Sequence, residues 1–270
     1  MSQPDATNRP TNWRHVLRRT RDTSIESTSE GVEGVGRFLV YAALGVAVGA
    51  VVVGIEWLAI EQILHALIEA PLWVQVLAPG IGLMLTAIIL RVGWNTKPTT
   101  SDSYVEAFHG STELEPKRMG PKLAGALTTV GFGGAAGLEG PVIYAGANLG
   151  QLLGRRELKV LGGRNHRLLL AAGAAAAVAA VFRAPATGVL FALETPFRRD
   201  IAKHALIPAL VASAAAYITF VIILGSNRLL FIQPTEVPLT DEVIGAVVIG
   251  LFAGVAARGI AALFHFAKSA

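Results

Sequence analysis

The chain has 270 residues, of which 53% are hydrophobic and only 16% charged, with a net charge of +4 and no cysteine. Mean hydropathy is +0.53, whereas a soluble domain of this size carries about 25% charged residues. The missing cysteines exclude disulfide frameworks and thiolate metal sites. The basic balance matches the cytoplasmic bias of Lys and Arg in membrane proteins better than a nucleic-acid surface.

Charge collects in residues 1–37, 91–122, 154–167 and 196–203, leaving apolar stretches between. Residues 1–36 form a polar arm without the charged start, apolar run and cleavage site of a secretory signal. Trp13–Arg21 (WRHVLRRTR) reads as a short basic interfacial helix or as disorder, and the arginines before the first span predict a cytoplasmic N-terminus. Residues 38–68 are apolar, with Glu56, Glu61 and His65 in the second half. A span needs about 20 residues, so this one tilts or projects. Pro71–Leu90 is a second span, followed by the polar stretch Asn95–Gly120. Pro121–Gln151 is apolar but interrupted at Gly131–Pro141. Leu168–Leu193 is nearly all alanine and aliphatic, broken by Arg183 and Pro185. Ala205–Leu224 is a clean span, 225–241 a loop, and Asp241–Ala267 the last span.

The segment Gly131-Phe-Gly-Gly-Ala-Ala-Gly-Leu-Glu-Gly-Pro141 holds a single carboxylate, Glu139. An ionisable group inside an apolar region is a functional candidate by default. Gly140 and Pro141 open another apolar run, and Pro fits the first turn of a helix. Glu139 therefore falls at a helix N-terminus, where free N–H groups and the dipole favour an anion. Unwound backbone at membrane depth is tolerated only where protein buries it or water reaches it. Glycines at four-residue spacing, Gly45/Gly49, Gly146/Gly150/Gly154 and Gly250/Gly254, read as close helix packing. The three-residue period of Gly131, Gly134, Gly137 and Gly140 fits no single helix face and reads as a backbone-lined site.

Gly137-Leu-Glu-Gly-Pro141 resembles the G-x-E-G-P motif of the CLC chloride channels and proton-coupled chloride transporters. Ala171-Ala-Gly-Ala-Ala-Ala176, Phe182-Arg-Ala-Pro185 and Gly188-Val-Leu-Phe-Ala-Leu-Glu194 are similar, in order and spacing, to the A-G-A-A-A-G-x-A-A-x-F-x-A-P-x-x-G-x-x-F-x-x-E run of that family. The likeness covers roughly residues 37–225. It implies that Glu139 is the gating glutamate, occupying an anion site and swinging away when protonated. It also implies a homodimer contact formed by residues 168–224.

Three departures qualify the resemblance. Where the family has G-S-G-I-P, this chain reads Pro98-Thr-Thr-Ser-Asp102; Thr99 falls at the pore serine and could donate to an anion, and the alternative is a plain loop with Asp102 as N-cap. The position matching the second member of the family's glutamate pair is Thr195, which tilts the reading from proton exchange by the usual route toward a passive channel, or toward a transporter with another proton path. Glu194 is expected to pair with Arg183 or Arg198. The later G-x-F-x-P motif and pore tyrosine of the second half do not occur.

The expected fold is an all-α polytopic membrane protein with tilted and broken helices, the first half of an inverted-repeat CLC-type fold. Residues 1–36 are the cytoplasmic arm, and 37–270 hold the first repeat plus the first helix of the second. The expected function is chloride transport through a pore gated by Glu139, with the backbone at Gly137, Leu138, Gly140, Pro141 and Val142, and the Thr99 hydroxyl, binding the anion. The expected partners are chloride or another small anion, membrane lipid and a second copy, in a multi-pass cell-membrane protein. No nucleic acid, cofactor or metal is expected, the six histidines having no metal-like spacing. A non-conducting subunit, a truncated fragment needing a partner half, and a membrane enzyme using Glu139 as base are the alternatives.

Overall fold

A computed structural model describes the backbone of residues 13–98, 101–110, 112–155, 166–197, 201–225 and 239–269, with side chains described within 34–263. The described residues are helical, without strands. Two compact units emerge, Met1–Ser226 and Asn227–Ala270. The second unit contains α10 (Leu239–Ser269), whose Thr240–Leu263 stretch is long and apolar enough to cross a membrane.

In the first unit, α1 (Trp13–Glu56) runs into a π-helical stretch, Trp57–Leu64, and the short α2 (His65–Ile68). The basic Trp13–Arg21 segment is thus continuous with the first span rather than a separate short helix. Gly34–Ile68, Leu72–Val92 and Lys203–Leu224 are the other stretches long and apolar enough to span. They correspond to the three runs read from hydropathy, and α3 (Leu72–Val92) and α9 (Leu206–Leu224) occupy the second and third.

The remaining helices are short. α4 (Ser101–His109) starts in the polar stretch. Asp102 was expected to cap it, but the helix begins one residue earlier, so Asp102 sits exposed in the first turn. α5 (Met119–Gly131) and α6 (Glu139–Arg155) replace one apolar run, and α7 (His166–Val181) and α8 (Pro185–Glu194) replace another. Each break falls where the sequence supplies it. Gly133 has φ +78°, a left-handed conformation that glycine adopts without penalty. Pro185 stands at the first position of α8, where its missing N–H loses nothing.

The core is built around α7. All twelve residues from Leu169 to Ala180 are buried. An apolar helix without a polar face must be enclosed on all sides, and α6, α8, α9 and α1 enclose this one. Small residues allow the enclosure to be tight. A Cβ added at Gly146 would overlap the Gly173 carbonyl, and one at Gly173 would overlap that of Gly146. Gly45 and Gly49 lie in the same way against the Ala212 and Ala216 carbonyls of α9. The four-residue glycine spacing at these two places is therefore backbone-to-backbone packing.

Polar residues in the interior are tied down. Gln151 on α6 accepts from the Leu114 N–H at 3.0 Å and donates to its carbonyl at 2.7 Å. Tyr144 makes the same two-way bond with the Glu115 backbone, 3.1 Å in each direction. α6 thereby pins the loop that leads into α5. In that loop the Lys117 ammonium, together with Arg118, holds the half-exposed Glu115 carboxyl below the usual carboxylate range.

Arg183, in a left-handed conformation at φ +54°, donates to Glu56 at 2.7 Å and lies 4.9 Å from the Phe220 ring centroid. Of the two partners expected for Glu194, Arg198 lies outside the described residues and Arg183 does not pair with it. Ten residues of α8 separate Arg183 from Glu194, about 15 Å of helix, and Glu194 is exposed at the far end.

The α6–α7 contact predicts how glycines differ. Gly146→Ala should destabilise by about 1–3 kcal/mol, because the obstructing atom is a backbone carbonyl that cannot rotate away. Gly54→Ala, with no atom within 4 Å, should not lower stability. Melting of both variants in detergent checks this, and equal melting temperatures would refute the packing argument.

Candidate functional site

The break between α5 and α6 carries the site. α5 ends at Gly131, and the chain turns through Phe132–Leu138 before α6 starts at Glu139. The Val142 N–H bonds to the Leu138 carbonyl at 3.1 Å, so Leu138 is the residue before the first turn. The N–H groups of Glu139 and Gly140 then stand in the turn that has no intrahelical acceptors, and Pro141 has none to offer. Residues 135–150 are thus not one unbroken helix, and a helix N-terminus begins at the carboxylate.

That N-terminus opens onto a cleft of about 460 Å³. Glu139, Gly137, Gly140 and Pro141 line it, together with Thr86, Thr129, Lys122, Pro98 and Ser101. Ser101 is the first residue of α4, so a second helix starts at the same cleft. Two helix starts and one ammonium group place positive potential in one concavity.

The residues singled out in the sequence divide. Gly137, Glu139, Gly140 and Pro141 lie on the cleft wall. The Leu138 side chain is buried against Ala59 and Ala126, and Val142 is in the core with Ala176 and Phe220. The Val142 N–H is used inside the helix and is not free for an anion, and the two side chains anchor the turn. Thr99 lies outside the described residues; its neighbours Pro98 and Ser101 reach the cleft.

Glu139 is partly buried, and its carboxylate folds back over its own approach segment. A Cβ built on Gly137 would coincide with Glu139 Oε2 and fall 2.7 Å from its Cδ. The absent side chain at 137 is what lets the carboxylate rest there.

Lys122 was not picked out from the sequence, where it looks like a flanking cation after Pro121. It is only 5% exposed. Its ammonium donates to the Lys97 carbonyl at 2.8 Å and sits 4.6 Å from the Tyr144 ring centroid. A charge at the second position of an apolar run was the available signal. Thr86 and Thr129 complete the wall: the Thr86 hydroxyl lies 2.7 Å from those of Thr128 and Thr129, and all three bond backbone carbonyls on α3 or α5. Those hydroxyl protons are thereby used within the protein, and such a site can hold an anion by the helix N–H groups, the Lys122 ammonium and the Ser101 hydroxyl. Among the described residues no group of three or more His, Cys, Asp or Glu could hold a metal.

Known proteins resemble this chain in sequence and in fold. A family model described as voltage gated chloride channel matches residues 81–270. A ClcB-like protein of Ralstonia nicotianae is 31% identical over 220 residues, covering 79% of this chain and 51% of that protein. The voltage-gated ClC-type chloride channel ClcB of Yersinia pestis is 27% identical over 213 residues, covering 74% and 50%. Among solved structures, a CLC-type fluoride/proton antiporter superposes with a TM-score of 0.64 at 26% identity, covering 82% of this chain and 55% of that one. A slow cyanobacterial chloride/proton antiporter gives 0.62 at 26% identity, covering 81% and 54%. The chain spans about half the length of the relatives it matches.

The fold of the turn predicts the behaviour of Gly137→Ala. The added methyl meets only the far end of a flexible side chain, so helix content and melting temperature should not change. The Glu139 carboxylate, however, must leave its resting place. Infrared difference spectra, with the band assigned through Glu139→Gln, should show the carboxyl frequency shifted in Gly137→Ala; an unmoved band would refute the contact.

Proposed function

The chain belongs to the voltage gated chloride channel family, and from that premise we propose that it forms the Glu139-bearing half of a chloride pathway across a cell membrane. The observation that supports this most strongly is the cleft itself, where two helix starts and Lys122 surround one titratable carboxylate. The Glu139 carboxylate is the negative occupant of donors that suit an anion. Protonation removes its charge, weakens its hold on those donors and lets chloride replace it. Lys122 supplies positive potential at the wall, and the Ser101 hydroxyl adds a neutral donor. Because the chain spans about half of its relatives, the opposite wall comes from another polypeptide segment, and this chain alone does not conduct.

Passive conduction is favoured over proton exchange. Thr195, the position matching the family's second glutamate, has no titratable group, and Glu194 beside it is exposed. The antiporter structures that resemble this chain favour the second reading, exchange by another proton route. The N-terminus is placed in the cytoplasm, on the side of the basic loops.

Two experiments decide. In liposomes holding the complete assembly, Glu139→Gln should leave chloride efflux equal or higher and flatten its pH dependence, since a neutral side chain cannot titrate. An unchanged pH profile would place the gate elsewhere, and abolished efflux in a folded variant would make Glu139 an obligatory carboxylate. In the same vesicles a chloride gradient should drive no proton movement; a coupled pH change would establish exchange instead.

Residues 168–224 are also proposed to pair with a second copy, through the apolar faces of α8 and α9. Leu190, Leu210 and Ile218 are exposed there. The native chain has no cysteine, so single Leu210→Cys or Ile218→Cys variants in membranes should yield disulfide-linked dimers. Only monomers from both would refute this contact.

A further inference from the structure

A second cleft, of about 390 Å³, lies among the polar ends of the helices and takes no part in the anion site. Arg167, Lys203 and His204 line it, over a floor that includes Phe108 and Phe197. No acidic residue lines it among those described. Its three basic side chains are exposed at its mouth. Phe108, Phe197 and His109 pack edge-to-face beneath, with ring centroids 5.4–5.8 Å apart. His109 also meets the Pro196 carbonyl at 2.6 Å, so the floor is fixed whether or not the cleft is filled.

Its place in the fold says which medium it faces. Gly154 at the end of α6 lies 3.2 Å, measured from an added Cβ, from His166 at the start of α7. Arg155 pairs with Glu113 in the loop after α4. Lys203 and His204 form the turn that leads directly into the span Lys203–Leu224. The cleft therefore sits where membrane spans meet the basic loops. An ammonium, a guanidinium and an imidazole around one rigid concavity match a phosphate group, which accepts several charge-assisted hydrogen bonds at once.

We propose that this cleft binds a phosphate group, carried either by an anionic phospholipid headgroup or by a soluble phosphate compound. Ile201, Leu206 and Ile207 are exposed beside it, which favours the lipid: the headgroup occupies the cleft while the acyl chain lies along α9.

The test uses the full 270-residue chain in nanodiscs of phosphatidylcholine with or without phosphatidylglycerol, with bound lipid counted by native mass spectrometry. Phosphatidylglycerol should be retained selectively. Arg167→Gln/Lys203→Gln should weaken retention roughly twenty-five-fold, about fivefold for each cation removed. Arg91→Gln/Lys97→Gln, which removes two exposed cations elsewhere, should have little effect. If the control pair weakens retention equally, general surface charge is responsible and the proposal fails.

Inorganic pyrophosphate is the soluble probe. Slowed hydrogen exchange at Lys203–Leu206 with pyrophosphate, together with no selective retention of phosphatidylglycerol, would assign the site to a soluble phosphate. Equal lipid retention by wild type and cleft variant, with no protection by pyrophosphate, would overturn the proposal. Both variants change exposed side chains, and matching melting temperatures verify that each is folded.

Discussion

Gly146 and Gly173 bring the backbones of α6 and α7 into direct contact, and that approach fixes where the start of α6 lies. In lipid there is no water to drive helices together, so van der Waals contact over small residues is the main source of adhesion. α7 supplies this almost without side chains, being alanine over most of its buried length. Its volume leaves no slack: α6 rests against it on one side, α9 on another, and α1 reaches both. Glu139 is positioned by this stack through only three residues, because Val142, on the next turn, is already in the core.

Charges inside such a stack have to be neutralised or bonded, since burying an isolated charge costs several kcal/mol. The chain solves this twice, differently. Glu56 and Arg183 pair across α1 and the α7–α8 break, and Phe220 covers the guanidinium. The pair holds Arg183 in a left-handed conformation that an arginine otherwise avoids. Lys122 instead uses the Lys97 carbonyl and the face of Tyr144. The first arrangement joins opposite charges and leaves little net field. The second gives Lys122 neutral partners on these two sides and keeps its charge beside the cleft.

Hydropathy and punctuation made the long elements readable. Runs of apolar residues gave the spans, and Gly131–Pro141 and Ala184–Gly188 gave the breaks, because glycine and proline act on the backbone locally. The helix start at Glu139 was readable for the same reason. Lys122 and Ser101 were not, because their relation to Glu139 depends on α4, α5 and α6 converging. Nor was the partner of Arg183, which lies 127 residues away in sequence. Glu194 looked closer, but the intervening helix carries it off. Val142 was included with the anion donors because the motif is continuous, but helical geometry commits its N–H to the Leu138 carbonyl.

The shortness of α7 has a consequence for how the protein is made. Its 16 residues span about 24 Å, less than the roughly 30 Å hydrocarbon layer, and alanine is only weakly attracted to lipid. α6 and α8 are no better suited to entering a bilayer by themselves, whereas the longer apolar stretches in α1, α3 and α9 are. Insertion then has an order imposed by physics. The long helices enter first, and the segment carrying Glu139 is drawn in afterwards by the protein surface they create. The turn at Glu139 comes into existence as a late product of assembly.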